Sequence, residues 1–138
     1  MDACARLCAL ADELAAAHPS PRRFLVELGS AAGGVRLGPL WMLDAASGGR
    51  NRLTGRGFAA EFDDRTRGQA RHFAGIVAVA ARVGPRLARW ASVHVGRDAP
   101  DSADGRLSDE AIEFARLVTS GRLALADTPD WISQHICA

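Results

Sequence analysis

Two histidines and a run of carboxylates are the residues of this chain best equipped to do chemistry. His72 stands in the first turn of an almost wholly apolar stretch, Gln69-Ala70-Arg71-His72-Phe73-Ala74-Gly75-Ile76-Val77-Ala78-Val79-Ala80-Ala81. His94 lies further on, where Leu87, Trp90, Ala91 and His94 recur at i, i+3, i+4 and i+7, so that stripe is expected to turn His94 inward. A neutral imidazole is the form a metal ligand or general base needs, and the positive end of a helix favours it at His72. At the far end of its own helix His94 meets the opposite field, or simply caps the last carbonyls. Two titratable groups held in different states are how acid and base roles are assigned.

Carboxylates lie on both sides of these histidines. Glu61, Asp63 and Asp64 precede His72, where they complement the helix dipole and one of them could orient the imidazole. Asp98, Asp104 and Asp109 follow His94, and one could complete a His-His-Asp metal site or a His-Asp pair. Arg71 can bind an anion or pair with Asp63 or Asp64. The candidates are therefore His72 and His94, with Arg71 beside them and the partner carboxylate left open among these acids. No Gly-x-Ser-x-Gly elbow or local cysteine-protease signature is present.

The elements that must position these groups read as helices. One is expected from Asp2 to Ala17, ending before Pro19. Ser20 caps the next, with Pro21 at its first position and Phe24, Leu25 and Leu28 on its buried side before Gly29 and Gly33-Gly34. Val35 to Leu43 is ambiguous and read as irregular. Gln69 to Val83, apolar nearly all round, is expected to be the core helix. Gly84-Pro85 breaks it and opens the helix that carries His94. A polar loop, Arg97 to Gly105, leads to a helix starting near Ser108 and ending before Gly121, and a short last helix spans Pro129 to Ile136.

The 138 residues, 48% of them hydrophobic, suit a single domain, residues 1–138, with a core of its own. Net charge is +1, but 14 of the 17 arginines precede Asp98 together with only half of the 16 acids. Such asymmetry serves packing of one half on the other, or an anionic partner. All basic residues are arginine and there is no tyrosine; with the wealth of alanine and glycine this points to a GC-rich, bacterial genome.

Ser47 to Gly57 is a basic, glycine-rich loop whose Arg50, Arg52 and Arg56 could meet phosphate, although it lacks the Gly-Lys-Ser/Thr ending of a P-loop. It is expected to be mobile and solvated. With Arg65 and Arg67 it offers charge, but no aromatic interleaving for base stacking, which argues against a nucleic-acid partner. Three cysteines, Cys4, Cys8 and Cys137, make a poor disulfide framework and suit small buried thiols in a reducing compartment. Cys4 and Cys8 share a helix face and could meet Cys137 or His135 in a zinc site if the terminal helices pack together. No signal peptide or membrane span is read, so the expected location is the cytoplasm, or outside the cell by a route without a cleavable signal.

The order Gln69-Ala70-Arg71-His72-Phe73, the Gly84-Pro85-Arg86-Leu87-Ala88 break, His94 at a helix end and Asp104-Gly105-Arg106-Leu107-Ser108-Asp109 opening another helix resembles an uncharacterised helical domain. That domain stands at the carboxyl ends of bacterial polymorphic-toxin-like and secreted proteins, and the likeness covers about Asp63 to Gly121. The family pattern is an Arg-His-Ala helix, a His-Glu ending and an Asp-then-Asn helix start. Here Val95 follows His94 in place of Glu, and the Asn near Asp109 is missing. The resemblance implies a shared scaffold and a polar cluster of Arg71, His72, His94, Asp104 and Asp109.

The expected fold is all-α, five or six helices around the Gln69–Val83 helix. The expected function is a small toxin-like or effector-like hydrolase acting by acid/base or metal-assisted chemistry. The alternative is a non-catalytic helical interaction module with structural histidines. Cofactor, metal, oligomeric state and the identity of a small-molecule or protein partner are left open by the sequence.

Overall fold

Local signals account for most of the helix ends. The Asp2 carboxylate accepts the Ala5 amide (2.8 Å) and starts α1, Ala3–Ala17. Ser20 caps α2, Pro21–Gly33, which stops at Gly34 in the left-handed region, φ 69°. A six-residue helix, α3, follows at Trp41–Ala46. Beyond it come α4, Gln69–Val83; α5, Pro85–His94; α6, Ala103–Thr119; and α7, Thr128–His135. Single 3-10 turns occupy Ala60–Phe62 and Leu125–Asp127. The computed structural model describes residues 1–138 and is all-α, with no strand and one isolated bridge between Phe58 and Cys137. No helix is long and apolar enough to cross a membrane.

The count of seven exceeds the expected five or six because α3 arises where the sequence reads as irregular. None of its residues is buried; instead Arg36 clamps Asp44 through two hydrogen bonds (2.7 and 2.9 Å), holding that carboxyl down at about 2. Such a side-chain tether leaves no periodic pattern in a sequence.

The core lies between α2, α4 and α6, with α1 and α7 packed together at one side. Phe114 of α6 is its hub, with ring centroids 5.4 Å from Phe73, 6.4 Å from Phe24 and 5.1 Å from Trp131. Leu7, Leu25, Leu28, Val77, Leu107 and Ile132 fill the space around it and are fully buried. Burial is shared: α2 buries seven of its 13 residues and α4 seven of its 15. Contact between these two is close because they meet at glycine. A Cβ on Gly29 would stand 2.3 Å from Ala78 Cβ, and one on Gly33 2.9 Å from the Gly75 amide nitrogen.

Three expectations are corrected. Cys4 and Cys137 form a disulfide across the α1–α7 contact, leaving only Cys8 free; an odd cysteine count hides one pair and one spare. The Ser47–Gly57 loop is anchored: the Arg50 amide donates to Gly33 O (2.8 Å), Arg6 donates to Thr54 O (2.6 Å), and Asn51 donates to Arg67 O (3.2 Å). Its glycines serve close approach, since a Cβ on Gly49 would lie 2.0 Å from Gly33 O. Finally, α6 begins five residues before Ser108, capped by Ser102, whose hydroxyl accepts the Gly105 amide (3.0 Å).

Candidate functional site

The earlier start of α6 decides the site. It turns Ser108 from a cap into an interior residue of the helix, 2% exposed, and brings Asp104 into the first turn facing the start of α4. There His72 Nε2 lies 2.7 Å from Ser108 Oγ, 3.1 Å from the Asp104 carbonyl oxygen and 3.6 Å from Asp98 Oδ2. The carbonyl and the carboxylate only accept, so Nε2 carries a hydrogen and donates it into this corner. The chain of donors runs on to Asp98: Ser92 Oγ donates to its Oδ2 (3.0 Å) and Ser108 Oγ reaches the same atom (3.4 Å). Ser92 Oγ also lies 2.9 Å from Ser108 Oγ, from which it can accept.

Asp98 is placed by a sharp reversal at the end of α5. Its amide donates to Ser92 O (2.9 Å), and Arg97 takes the left-handed conformation, φ 57°. The other non-glycine residue at positive φ is Arg65, φ 70°, beside Asp64. Both left-handed residues thus adjoin acids of this cluster, and such conformations cost of order 1–3 kcal/mol each.

One ligand atom each from His72, Asp98 and Asp104 lie within 4.8 Å of one another. Asp64 stands near them, and its carboxyl and that of Asp104 influence each other's ionisation. Burial pushes the Asp104 carboxyl above the usual aspartate range against the opposing pull of His72, and Asp64 beside it pushes the same way as burial. Burial also raises Asp64, but the Thr66 hydroxyl (2.6 Å) and amide (2.9 Å) outweigh it and hold that group below the usual range. Of the two carboxyls, Asp104 therefore holds a proton the more readily. None of Asp64, Asp98 and Asp104 has an arginine within ion-pair distance. Gln69 donates to Asp64 (3.1 Å), yet its own buried Oε1 has no donor. A cavity of about 60 Å³ opens beside the cluster, lined in part by Ser92, Asp98, Ser108, Asp109 and Arg89.

Of the residues expected at a site, His72 and Asp104 are brought together. His94 is not: Leu87 and Trp90 are 58% and 55% exposed, so the stripe faces solvent, and the exposed His94 lies against the Trp90 ring (5.0 Å). The buried side of α5 is Ala88 and Ser92; two small residues let the helix approach α6, and a small inward face carries no hydrophobic signal. Asp109 pairs with Arg89 at the cavity rim. Arg71 is half-buried with its guanidinium against Gly68 and pairs with neither Asp63 nor Asp64. Ser92 and Ser108 escaped sequence reasoning. The Ser92-to-Asp98 spacing, one turn beyond a helix end, was the only signal for them.

Comparison of the chain with protein-family models, with curated proteins and with solved structures finds no match.

Proposed function

We propose that this chain is a small bacterial toxin-like or effector-like hydrolase domain whose centre is His72, Asp98 and Asp104, working by metal-assisted chemistry. The observation that carries the reading is the charge balance. Three half-buried carboxyl groups and one imidazole converge, and no arginine is paired with any of the three acids. Partly buried carboxylates without a cation are costly, and a divalent ion removes that cost. One nitrogen and two oxygen ligands would suit Zn²⁺ or Mn²⁺, and such an ion would supply an acidified water as nucleophile. The donorless Gln69 Oε1 and the two left-handed residues beside the acids support a functional role for this corner. In this reading α4 is the helix around which the others are arranged, with His72 at its first turn.

Calorimetric titration with Zn²⁺ and Mn²⁺ tests the reading. One ion per chain should bind with release of a proton, and binding should be lost in Asp98→Asn and Asp104→Asn. Hydrolysis of p-nitrophenyl esters and phosphodiesters should then require both the ion and His72. Absence of ion binding to the folded protein defeats the metal-assisted mechanism. The second reading, a non-catalytic interaction module, is favoured by the serine network, which ties α4, α5 and α6 together through His72; it wins if His72→Asn unfolds the domain.

A further inference from the structure

At the opposite end of α4 from His72, ten residues and about 15 Å along the helix, Arg82 borders a groove of about 210 Å³ lined by Ser20, Arg22, Arg23, Val26, Leu37 and Arg82. Arg82 is held rigidly. Its Nη1 donates to Ala78 O (3.2 Å), its Nη2 to Arg36 O (3.3 Å), and its guanidinium lies over the Trp41 ring, 4.9 Å from the centroid. Every one of these partners is uncharged. Arg22 has no acidic partner either, while Arg23 is paired with Glu27 (2.7 Å). The groove therefore keeps two arginine charges with no carboxylate to balance them. Burial and the nearby Arg22 both work against the charged form of Arg82, a cost that an anion in the groove would offset. Ser20 and the first turn of the 13-residue α2 stand at its edge, and helix N-termini favour anions. Val26 and Leu37 give the lining an apolar part beside the arginines.

We infer that this groove is a binding site for the phosphate group of an organic phosphate, with Arg22 and Arg82 gripping the phosphoryl oxygens and Val26 and Leu37 taking the carbon skeleton. Planar guanidinium forks match phosphate oxygens two at a time, and rigid placement of one fork lowers the ordering cost of binding. The ligand is a phosphate monoester, either a soluble metabolite or the headgroup of a lipid such as phosphatidic acid. The second source has a supporting neighbour: Leu37, Leu40, Met42 and Leu43, beside the groove and along α3, are 43–65% exposed. This site is independent of the chemistry at His72.

The test is titration of the folded chain with phenyl phosphate, followed by amide chemical shifts at fixed ionic strength, alongside flotation with vesicles of phosphatidylcholine with and without phosphatidic acid. Phenyl phosphate is expected to shift the amides of Ser20, Arg22, Arg23 and Leu37, and Arg22→Gln to weaken it about tenfold or more. Arg116→Gln, remote from the groove and paired with Glu113, should change nothing. Arg82→Gln removes a packed side chain as well as a charge, so Arg22→Gln is the deciding variant if Arg82→Gln fails to fold. Flotation dependent on phosphatidic acid and on Arg22 assigns the lipid source; binding of phenyl phosphate without flotation assigns the soluble one. Failure of both probes, or equal binding to wild type and Arg22→Gln, overturns the site.

Discussion

Asp104 concentrates at one residue the conflict between stability and use. Its carboxyl is raised by burial, so the folded chain holds that proton more firmly than the unfolded one does. Stability from this group is full below the ordinary aspartate value of 3.8 and declines as pH rises through the higher folded value. Asp64, held low, acts in the opposite sense and loses its contribution as pH falls below 3.8. Asp104→Asn removes the ionisable group whose charged form burial disfavours. It is expected to raise stability at neutral pH by about 0.5–2 kcal/mol, toward the lower end because the group keeps contact with solvent. Thermal melts across pH check this: the decline with rising pH should disappear in the variant, along with ion binding. Cys8 is a second residue with a defined reactivity. Its Sγ stands 3.9 Å from Cys137 Sγ, and burial first, then Asp2, push the thiol up. Alkylation of Cys8 should be slow at neutral pH and accelerate only in alkaline solution; rapid labelling at neutral pH would contradict its burial.

Among the elements, the contact between α2 and α4 depends on which glycine faces which surface. Gly33 meets the α4 backbone, so a methyl group there has nothing flexible to displace. Gly33→Ala is expected to cost about 1–3 kcal/mol or more by forcing the helices apart. Gly75, directly across the same contact, has open space where its Cβ would be. Gly75→Ala should therefore stabilise α4 by about 0.5–1 kcal/mol through helix propensity alone. Urea denaturation of the two variants separates the effects, and a stabilising Gly33→Ala would show that the helices do not meet as described.

Over the whole molecule, the two chain ends are bound to one another and to the segment between them. The disulfide joins residues 133 positions apart. The same region is laced by Ala3 N–H donating to Arg56 O (2.9 Å), Ala59 N–H to Ile136 O (2.9 Å) and Ala138 N–H to Gly57 O (2.8 Å). A cross-link over so long a loop restricts the unfolded chain strongly. Reduction, or Cys137→Ser, is expected to lower stability by about 2–5 kcal/mol while leaving helix content nearly unchanged. Urea melts with and without reductant, followed by circular dichroism, measure it; coincident melts would mean that the hydrogen bonds alone hold the ends.

The sequence by itself determined the all-helical class and, within a few residues, the extents of α1, α2, α4, α5 and α7, because caps, prolines and apolar periodicity act locally. It also determined that His72 would stand in the first turn of an apolar helix with acids near it. Only the tertiary structure decided which acids. Asp98 arrives through a left-handed turn at Arg97, Asp104 through a helix that starts five residues early, and Ser92 and Ser108 through contact between small faces of α5 and α6. His94 went the other way because periodicity defines a stripe and not the direction it faces; the exposed Leu87 and Trp90 share its side of α5. Pairing of Cys4 with Cys137 was likewise settled only when α1 packed on α7. Local signals specify elements, whereas a site assembled from four segments depends on how those elements pack, which is a property of the whole core.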